Sequence, residues 1–270
     1  MMTPNDNGDN AGNSILKDAL VLAYSMADAA AAVVMPYYKS RISIDTKADT
    51  SPVTIADREA ESVMRTLIAE TFPDHGIFGE EHGQERIDAK YVWVLDPIDG
   101  TKSFITGKPL FGILIALLED GVPILGIMDN PALKERWVGC QGEKSTLNGI
   151  PVSGARACGN LKDAWLYTTT PEMFVGAEDD AFQRLASSVC NSVYGADCYA
   201  YGLLADAHVD IVCEANMQPY DYCALVPIVQ GAGGIMTNWR GELLGLNSGN
   251  TVLASGDAAS HRAAIELLTI

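Results

Sequence analysis

The stretch Trp93-Val94-Leu95-Asp96-Pro97-Ile98-Asp99-Gly100-Thr101 constrains this chain more than any other. The apolar run over residues 91–95 predicts a buried strand. It ends in a carboxylate, and Pro97 is expected to stop it, because proline brings no amide hydrogen to a sheet ladder. A second carboxylate follows at Asp99, then a glycine and a hydroxyl. Two acids at one strand end cannot both stay ionised in a small space unless a cation lies between them. Gly100 lets the backbone approach a ligand closely, and Thr101 can offer its hydroxyl to a water. The segment therefore reads either as a metal site at the C-terminal edge of a sheet or as a capped turn. In the second case Asp99 is the N-cap of a short helix starting at Gly100.

Composition narrows the classes. The net charge is −17, from 18 Lys and Arg against 35 Asp and Glu. A nucleic-acid partner is not expected, since that requires a basic face. The balance suits cations as ligands, although a solvated acidic surface explains most of it. With 270 residues, 48% of them apolar, the chain can bury a large core as one large domain or two intimate lobes. The six cysteines form no C-x-x-C pair, and residues 1–14 are polar with no signal-peptide pattern. Reduced thiols and a cytoplasmic location are the expectation. Residues 19–38 contain Asp28 and are rich in alanine, a packed helix and not a membrane span, so no membrane partner is expected. The four histidines lack ligand-like spacing, which argues against zinc.

Along the chain, residues 1–13 are expected to be disordered. Ser14 is placed as the cap of a helix over 14–38, and residues 40–53 as an extended arm. A second helix is expected to open over residues 54–57 with Asp57 in its first turn, where the macrodipole favours acids, and to run to Phe72. A short strand over 77–79 leads into Glu80 and Glu81. Runs at 111–119, 123–129 and 136–139 predict an antiparallel meander. Residues 142–160 are rich in Gly, Asn and Ser, and divide an N-terminal α+β lobe (14–155) from a C-terminal α/β lobe (156–270). In the second lobe strands are expected at 164–168, 192–194, 209–213, 235–237 and 251–254. Helices are expected at 179–190, 197–207, 221–231 and 257–268, with Pro227 kinking the third or loosening its first turn.

Several acids lie where these segments begin or end: Asp57, Glu80, Glu81, Asp96, Asp99, Glu214 and Asp221. Each has a purely structural reading. Together they form the all-oxygen donor set that Mg²⁺ requires, and Mg²⁺ commonly partners substrate phosphates. Other phosphate chemistries do not match. Gly107-Lys108-Pro109 lacks the spacing and hydroxyl of a P-loop, and no G-x-S-x-G elbow exists. The two aspartates of Asp96-Pro97-Ile98-Asp99 are spaced differently from a dehalogenase-type nucleophile pair, which disfavours an aspartyl phosphate.

The set Gly79-Glu80-Glu81, Trp93 to Thr101, Tyr220-Asp221 and the glycines of residues 231–234 resembles the inositol monophosphatase superfamily over nearly the whole chain from residue 15. Its histidinol-phosphatase branch is the most similar, through residues 51–58, 72–76 and 195–201. The resemblance implies a layered α/β/α/β/α sandwich, a homodimer, lithium sensitivity and Mg²⁺-dependent hydrolysis of a small phosphate monoester. Carried over by position, Glu80, Asp96 and the carbonyl of Ile98 would hold one cation, and Asp96, Asp99 and Asp221 a second. Asp57 with Glu80 would serve a third, weaker one. Thr101 and Glu80 would orient and deprotonate the attacking water, while the amides of Gly100 and Thr101 would bind phosphate. Glu214 would face the leaving alcohol, which is L-histidinol on this reading, and Asp197, at the start of the expected 197–207 helix, is either its N-cap or a second carboxylate beside that alcohol. Inositol 1-phosphate is the alternative substrate, and a catalytically inactive metal-binding homologue the alternative of another class. The family's tryptophan before the last metal aspartate is Tyr220 here.

Overall fold

The computed structural model describes residues 7–40 and 52–269. The expected disorder of residues 1–6 and, of the extended arm expected over 40–53, residues 41–51 lie outside the described residues; residues 52–53 are already helical, not extended. Helix α1 (Asn7–Val34) takes in residues 7–13, so the expected disorder does not extend that far and Ser14 is inside the helix rather than its cap. Helix α2 (Pro52–Thr71) packs on it, and alanines and methionines of both helices, including Ala23, Met26, Ala30, Ala60 and Met64, share one core.

The first sheet follows in β1 (Gly76–Gly79), β2 (Gly83–Glu85) and β3 (Tyr91–Asp99). The short helix α3 (Thr101–Thr106) leads into β4 (Gly112–Glu119), β5 (Val122–Asn130), β6 (Glu135–Cys140), β7 (Thr146–Leu147) and β8 (Ile150–Pro151). The sheet order is β2-β1-β3-β4-β5-β6-β7-β8, antiparallel except where β1 runs parallel to β3. The strands β7 and β8 come from the Gly/Asn/Ser-rich segment, which offers no apolar run to mark them.

Pro97 does not end β3 as expected. Asp96 pairs with Leu114 and Asp99 with Gly112, so β3 carries one extra residue between these pairs. Pro97 sits inside that bulge, where no ladder hydrogen bond is asked of it.

The second sheet contains β9 (Trp165–Thr168), β10 (Asn191–Tyr194) after helix α4 (Ala177–Ala186), and β11 (Ile211–Glu214) after helix α5 (Tyr199–Ala205). The expected helix over 221–231 is divided into α6 (Pro219–Tyr222) and α7 (Leu225–Gly231). Pro227 lies in the first turn of α7, where an amide hydrogen has no intrahelical acceptor to lose. Strands β12 (Ile235–Thr237) and β13 (Val252–Ser255) and helix α8 (Ala258–Leu268) complete the chain, with order β10-β9-β11-β13-β12.

Strand alternation assigns the layers. Trp93, Leu95, Ile113, Ile115 and Leu117 face α1 and α2. Their neighbours Val92, Val94, Leu114, Ala116 and Leu118 face α5, α6 and α7, which also cover Val212, Val252 and Ala254 of the second sheet. The far face of that sheet, with Leu166, Ile211, Cys213 and Leu253, packs on α4 and α8. The result is the α/β/α/β/α order, with α6 lying against β3 and β4 in the central layer.

Helix α7 lies directly on β5 and β6 because glycine stands at both contacts. A Cβ at Gly126 would come within 1.9 Å of the Ala224 carbonyl oxygen, and one at Gly139 within 2.3 Å of the Ile228 nitrogen. Both obstacles are backbone and cannot swing aside. Gly139→Ala is therefore expected to destabilise the protein by about 1–3 kcal/mol, as overpacking does. Thermal melting checks this, and an unchanged midpoint would contradict the seating of α7.

Candidate active site

Asp96 follows Val92 and Val94 on the face toward the central layer, and the extra residue of the bulge turns Asp99 to the same side, where α6 brings Asp221. One carboxylate oxygen from each of the three lies within 4.8 Å of the others. Asp96 is buried and closes the bulge, Oδ1 accepting the Ile98 amide at 3.0 Å. Asp99 accepts the Cys198 amide at 2.8 Å. It does not cap α3. The N-cap is Gly100, in left-handed geometry with φ 80°, and no side chain bonds there. The capped-turn reading of Asp99 is thereby set aside. Asp221 is at the third position of α6 and accepts the Gln218 amide at 2.7 Å, half of a capping box. Thr101 donates its hydroxyl to the Ile98 carbonyl at 3.2 Å, which keeps both oxygens beside the acids.

Two further acids approach from outside β3. Glu80 is in the turn between β1 and β2, held by its amide to the Leu95 carbonyl at 3.2 Å. The residue is exposed overall, but its carboxyl is close enough to that of Asp96 for each to shift the other's titration. Asp57 is not in a first turn as expected. Helix α2 begins at Pro52 and has no acid in its first turn, so Asp57 lies deeper in the helix body. It is 5% exposed, and its Oδ1 is buried without a hydrogen-bond partner. The helix dipole does not account for such a group.

Burial and mutual repulsion push all these carboxyls up. Asp57 is raised to about 8, first by desolvation and then by Glu80, Glu81 and Glu61. Asp221 is raised to about 8 by desolvation and Asp99, against the opposing Gln218 amide. Asp99 reaches about 7 through desolvation and Asp197, with Cys198 pulling the other way. Asp96 is held well above the carboxylate range by desolvation, Glu80, Asp99, Asp221 and Asp57. Glu80 is raised chiefly by desolvation of its carboxyl, with Asp96 opposing. The charged neighbours that act most on the aspartates are other acids, so a compensating positive charge has to come from outside the chain. The donors are all oxygen, which fits a hard divalent cation such as Mg²⁺ and not zinc.

Asp197 and Glu214 flank this group. Asp197 has a left-handed backbone at φ 49° and does not cap a helix; it accepts the Ser103 hydroxyl at 2.5 Å. Glu214 is 2% exposed and accepts from the Thr169 amide and hydroxyl at 2.9 and 2.6 Å and from the Tyr201 hydroxyl at 3.3 Å. Its carboxyl rises to about 7, first by desolvation, with Thr169 opposing and Asp99 and Asp197 adding repulsion. Ser103, Thr169, Tyr201 and the buried Glu61 escape sequence reading, because a hydroxyl or a helical i,i+4 acid is ordinary at any of those positions. Only the Asp57-x-x-x-Glu61 spacing, which puts both on one face of α2, hinted at the last.

Comparison with known proteins agrees with this geometry. Residues 16–269 match the inositol monophosphatase family. The bifunctional phosphatase IMPL2, chloroplastic, of Arabidopsis thaliana is 47% identical over 90% of this chain and 73% of its own length. A histidinol-phosphatase of Mycobacterium tuberculosis is 35% identical over 88% of this chain and 94% of its own. Among solved structures, an inositol monophosphatase from Zymomonas mobilis superposes with TM-score 0.89 at 43% identity, covering 94% of this chain and 98% of that one.

The acids make stability depend on pH in a direction opposite to that of salt-bridged carboxylates. Unfolded, these groups titrate near 4; folded, Asp57, Asp99 and Asp221 titrate at about 7 to 8. Between those values the folded state binds more protons, so stability is full below about pH 4 and falls as pH rises through about 8. Chelator-treated protein should lose melting temperature from about pH 6 to about pH 8.5, and excess Mg²⁺ should reverse the loss. A metal-free midpoint that rises over this range would contradict the cluster.

Proposed function

The chain belongs to the inositol monophosphatase family, and on that footing we propose that it is a Mg²⁺-dependent hydrolase of small phosphate monoesters with L-histidinol phosphate as preferred substrate. The partnerless buried oxygen of Asp57, together with three aspartate oxygens gathered within 4.8 Å, supports cation binding at this place. Glu80, Asp96 and the Ile98 carbonyl are assigned to one Mg²⁺, Asp96, Asp99 and Asp221 to a second, and Asp57 with Glu80 to a weaker third. When bound, Mg²⁺ neutralises phosphoryl oxygens and acidifies a coordinated water.

The protein's own groups then have distinct tasks. Thr101, tethered to the Ile98 carbonyl, orients the water that attacks phosphorus in line. Glu80 accepts its proton as general base, its carboxyl being raised, chiefly by desolvation, above the ordinary carboxylate range. The bond to the leaving alcohol breaks as the new phosphorus–oxygen bond forms, and the amides of Gly100 and Thr101 bind the phosphoryl group.

The observation that carries the substrate assignment is the pairing of Asp197 with Glu214 beside Asp99. The two carboxylates feel each other, since Asp197 raises Glu214. Lys102 and Lys108 offset Asp197 electrostatically, yet neither forms an ion pair with it among the described residues. Both carboxylates retain acceptor sites beyond their present bonds. A neutral polyol would gain ordinary hydrogen bonds there, whereas histidinol brings an ammonium and a protonatable imidazole and gains charge-assisted ones. The relatives named histidinol-phosphatase support the same assignment. Inositol 1-phosphate is the second reading, favoured by the likeness to the Zymomonas mobilis enzyme.

A phosphate-release panel tests both. Histidinol phosphate should exceed inositol 1-phosphate by at least about tenfold in kcat/KM, which needs only ~1.4 kcal/mol of differential binding. Asp197→Asn should shrink that ratio and spare an aryl phosphate. Asparagine is the useful replacement because it tolerates the left-handed backbone that alanine resists. Asp96→Asn should abolish turnover of every substrate with the fold intact. A wild-type preference for inositol 1-phosphate would overturn the substrate assignment, and full activity of Asp96→Asn would overturn the chemistry.

A further inference from the structure

Glu61 is fully buried, and the cation assignments above give it no task. It stands one helical turn after Asp57 on α2, so both carboxylates point from the same face of that helix. Asp57 reaches the acidic cluster. Glu61 reaches instead the turn that carries Glu80. Its Oε2 accepts the Glu81 amide at 2.7 Å, and its Oε1 accepts the His82 amide at 3.1 Å. Oε1 also accepts Arg65 Nε at 2.7 Å, and the same guanidinium donates to the Gly83 carbonyl. Two side chains of α2, one turn apart, thus hold the hairpin turn by its amides and by the carbonyl that follows.

The surroundings are shaped to this contact. A Cβ at Gly79, just before the turn, would come within 2.0 Å of Glu61 Oε1. The strand following the turn, β2, is three residues long and pairs only with β1 at the sheet edge. Such a strand does little to fix the turn alone.

We propose that Glu61 is a positioning residue for the cation site, clamping the Glu80–His82 turn to α2 so that Glu80 and Asp57 keep a fixed separation. The proposal rests on the reading that Glu80 and Asp57 serve a cation. A carboxylate is required because three donors converge on it. In glutamine one oxygen becomes an NH₂, and whichever side it occupies meets a donor N–H. The turn then has to shift, and Glu80 shifts with it. Loss of a partner that orients a ligand typically weakens metal binding about 10- to 100-fold.

The test uses the full chain, stripped with chelator, and Mn²⁺ as the probe. Bound Mn²⁺ is measured from the loss of the free ion's paramagnetic resonance signal. Glu61→Gln is expected to raise the Mn²⁺ Kd by about 10- to 100-fold, while KM for the phosphate ester at saturating Mn²⁺ stays near wild type. A merely structural Glu61 would lower the melting temperature and leave the Mn²⁺ Kd where it was, and that result overturns the proposal. Arg65→Lys keeps the buried carboxylate but loses the Nε donor and the link to Gly83. It should weaken Mn²⁺ in the same direction by a smaller factor, and it decides the question if Glu61→Gln does not fold. A wild-type Kd in Arg65→Lys then counts against the clamp. If the wild-type chain takes up no Mn²⁺, the reading of the acidic cluster itself fails, an outcome distinct from tight wild-type binding that the variants leave unaltered.

Discussion

Like-charge crowding at one end of β3 is the interaction on which the rest of this structure depends. Asp96, Asp99 and Asp221 bring oxygens within 4.8 Å, and Glu80 and Asp96 are close enough to shift each other's titration. In water such a cluster would spread apart. Here the bulge at Pro97, the Cys198 amide on Asp99 and the Gln218 amide on Asp221 hold the carboxylates in place. The metal-free site meets the repulsion by keeping protons, which is what the raised pKa values express. A divalent cation meets it better, since it neutralises several carboxylates at once without requiring them to be protonated. Beside the cluster, Asp197 and Glu214 add two more carboxyls raised chiefly by burial, with Lys108 and Lys102 offsetting Asp197 in part.

The layers exist in a form that serves this arrangement. The acids come from α2, the β1–β2 turn, the end of β3 and α6, segments far apart in the chain. The alternation of β3 and β4 fixes one face on α1 and α2 and the other on the central layer. Glycines at 126 and 139 let α7 lie on the strand backbones, and α6, joined to α7 by a short link, arrives at the cluster with Asp221. Bonds beyond the cluster add definition: Ser103 fixes Asp197, Thr169 and Tyr201 fix Glu214, and Glu61 ties the Glu80 turn to α2.

Much of this was legible in the residues, and the exceptions have physical causes. An apolar strand ending in two acids at Asp96 and Asp99 is a strong signal, because burial of paired carboxylates has few explanations other than a cation. The alternating runs of β4, β5 and β6 were equally plain, each side of the sheet having its own core. Pro97 misled because a proline normally ends a ladder, and a bulge that excuses its missing amide depends on the partner strand. Asp57 looked like a first-turn acid because Ser51-Pro52 can equally end an extended arm, and only the structure makes Pro52 the first residue of α2. Asp99 looked like an N-cap because the bond that it actually makes, to the Cys198 amide, joins residues far apart in sequence. Glu61 with Arg65 had the pattern of a solvated i,i+4 ion pair, and only the tertiary packing of the β1–β2 turn against α2 makes it a buried clamp.

The central claim is that protonated, crowded carboxylates exchange their protons for divalent cations. Calorimetric titration of the metal-free protein with Mg²⁺ near pH 7, in two buffers of different ionisation enthalpy, measures it directly. Carboxyls raised to about 7 and 8 at Asp99, Asp57 and Asp221 are partly protonated there, so binding should release protons and the heat should differ between buffers. The release should shrink as the pH is taken above those values. Mg²⁺ binding whose heat is the same in both buffers, or no binding, would contradict the account.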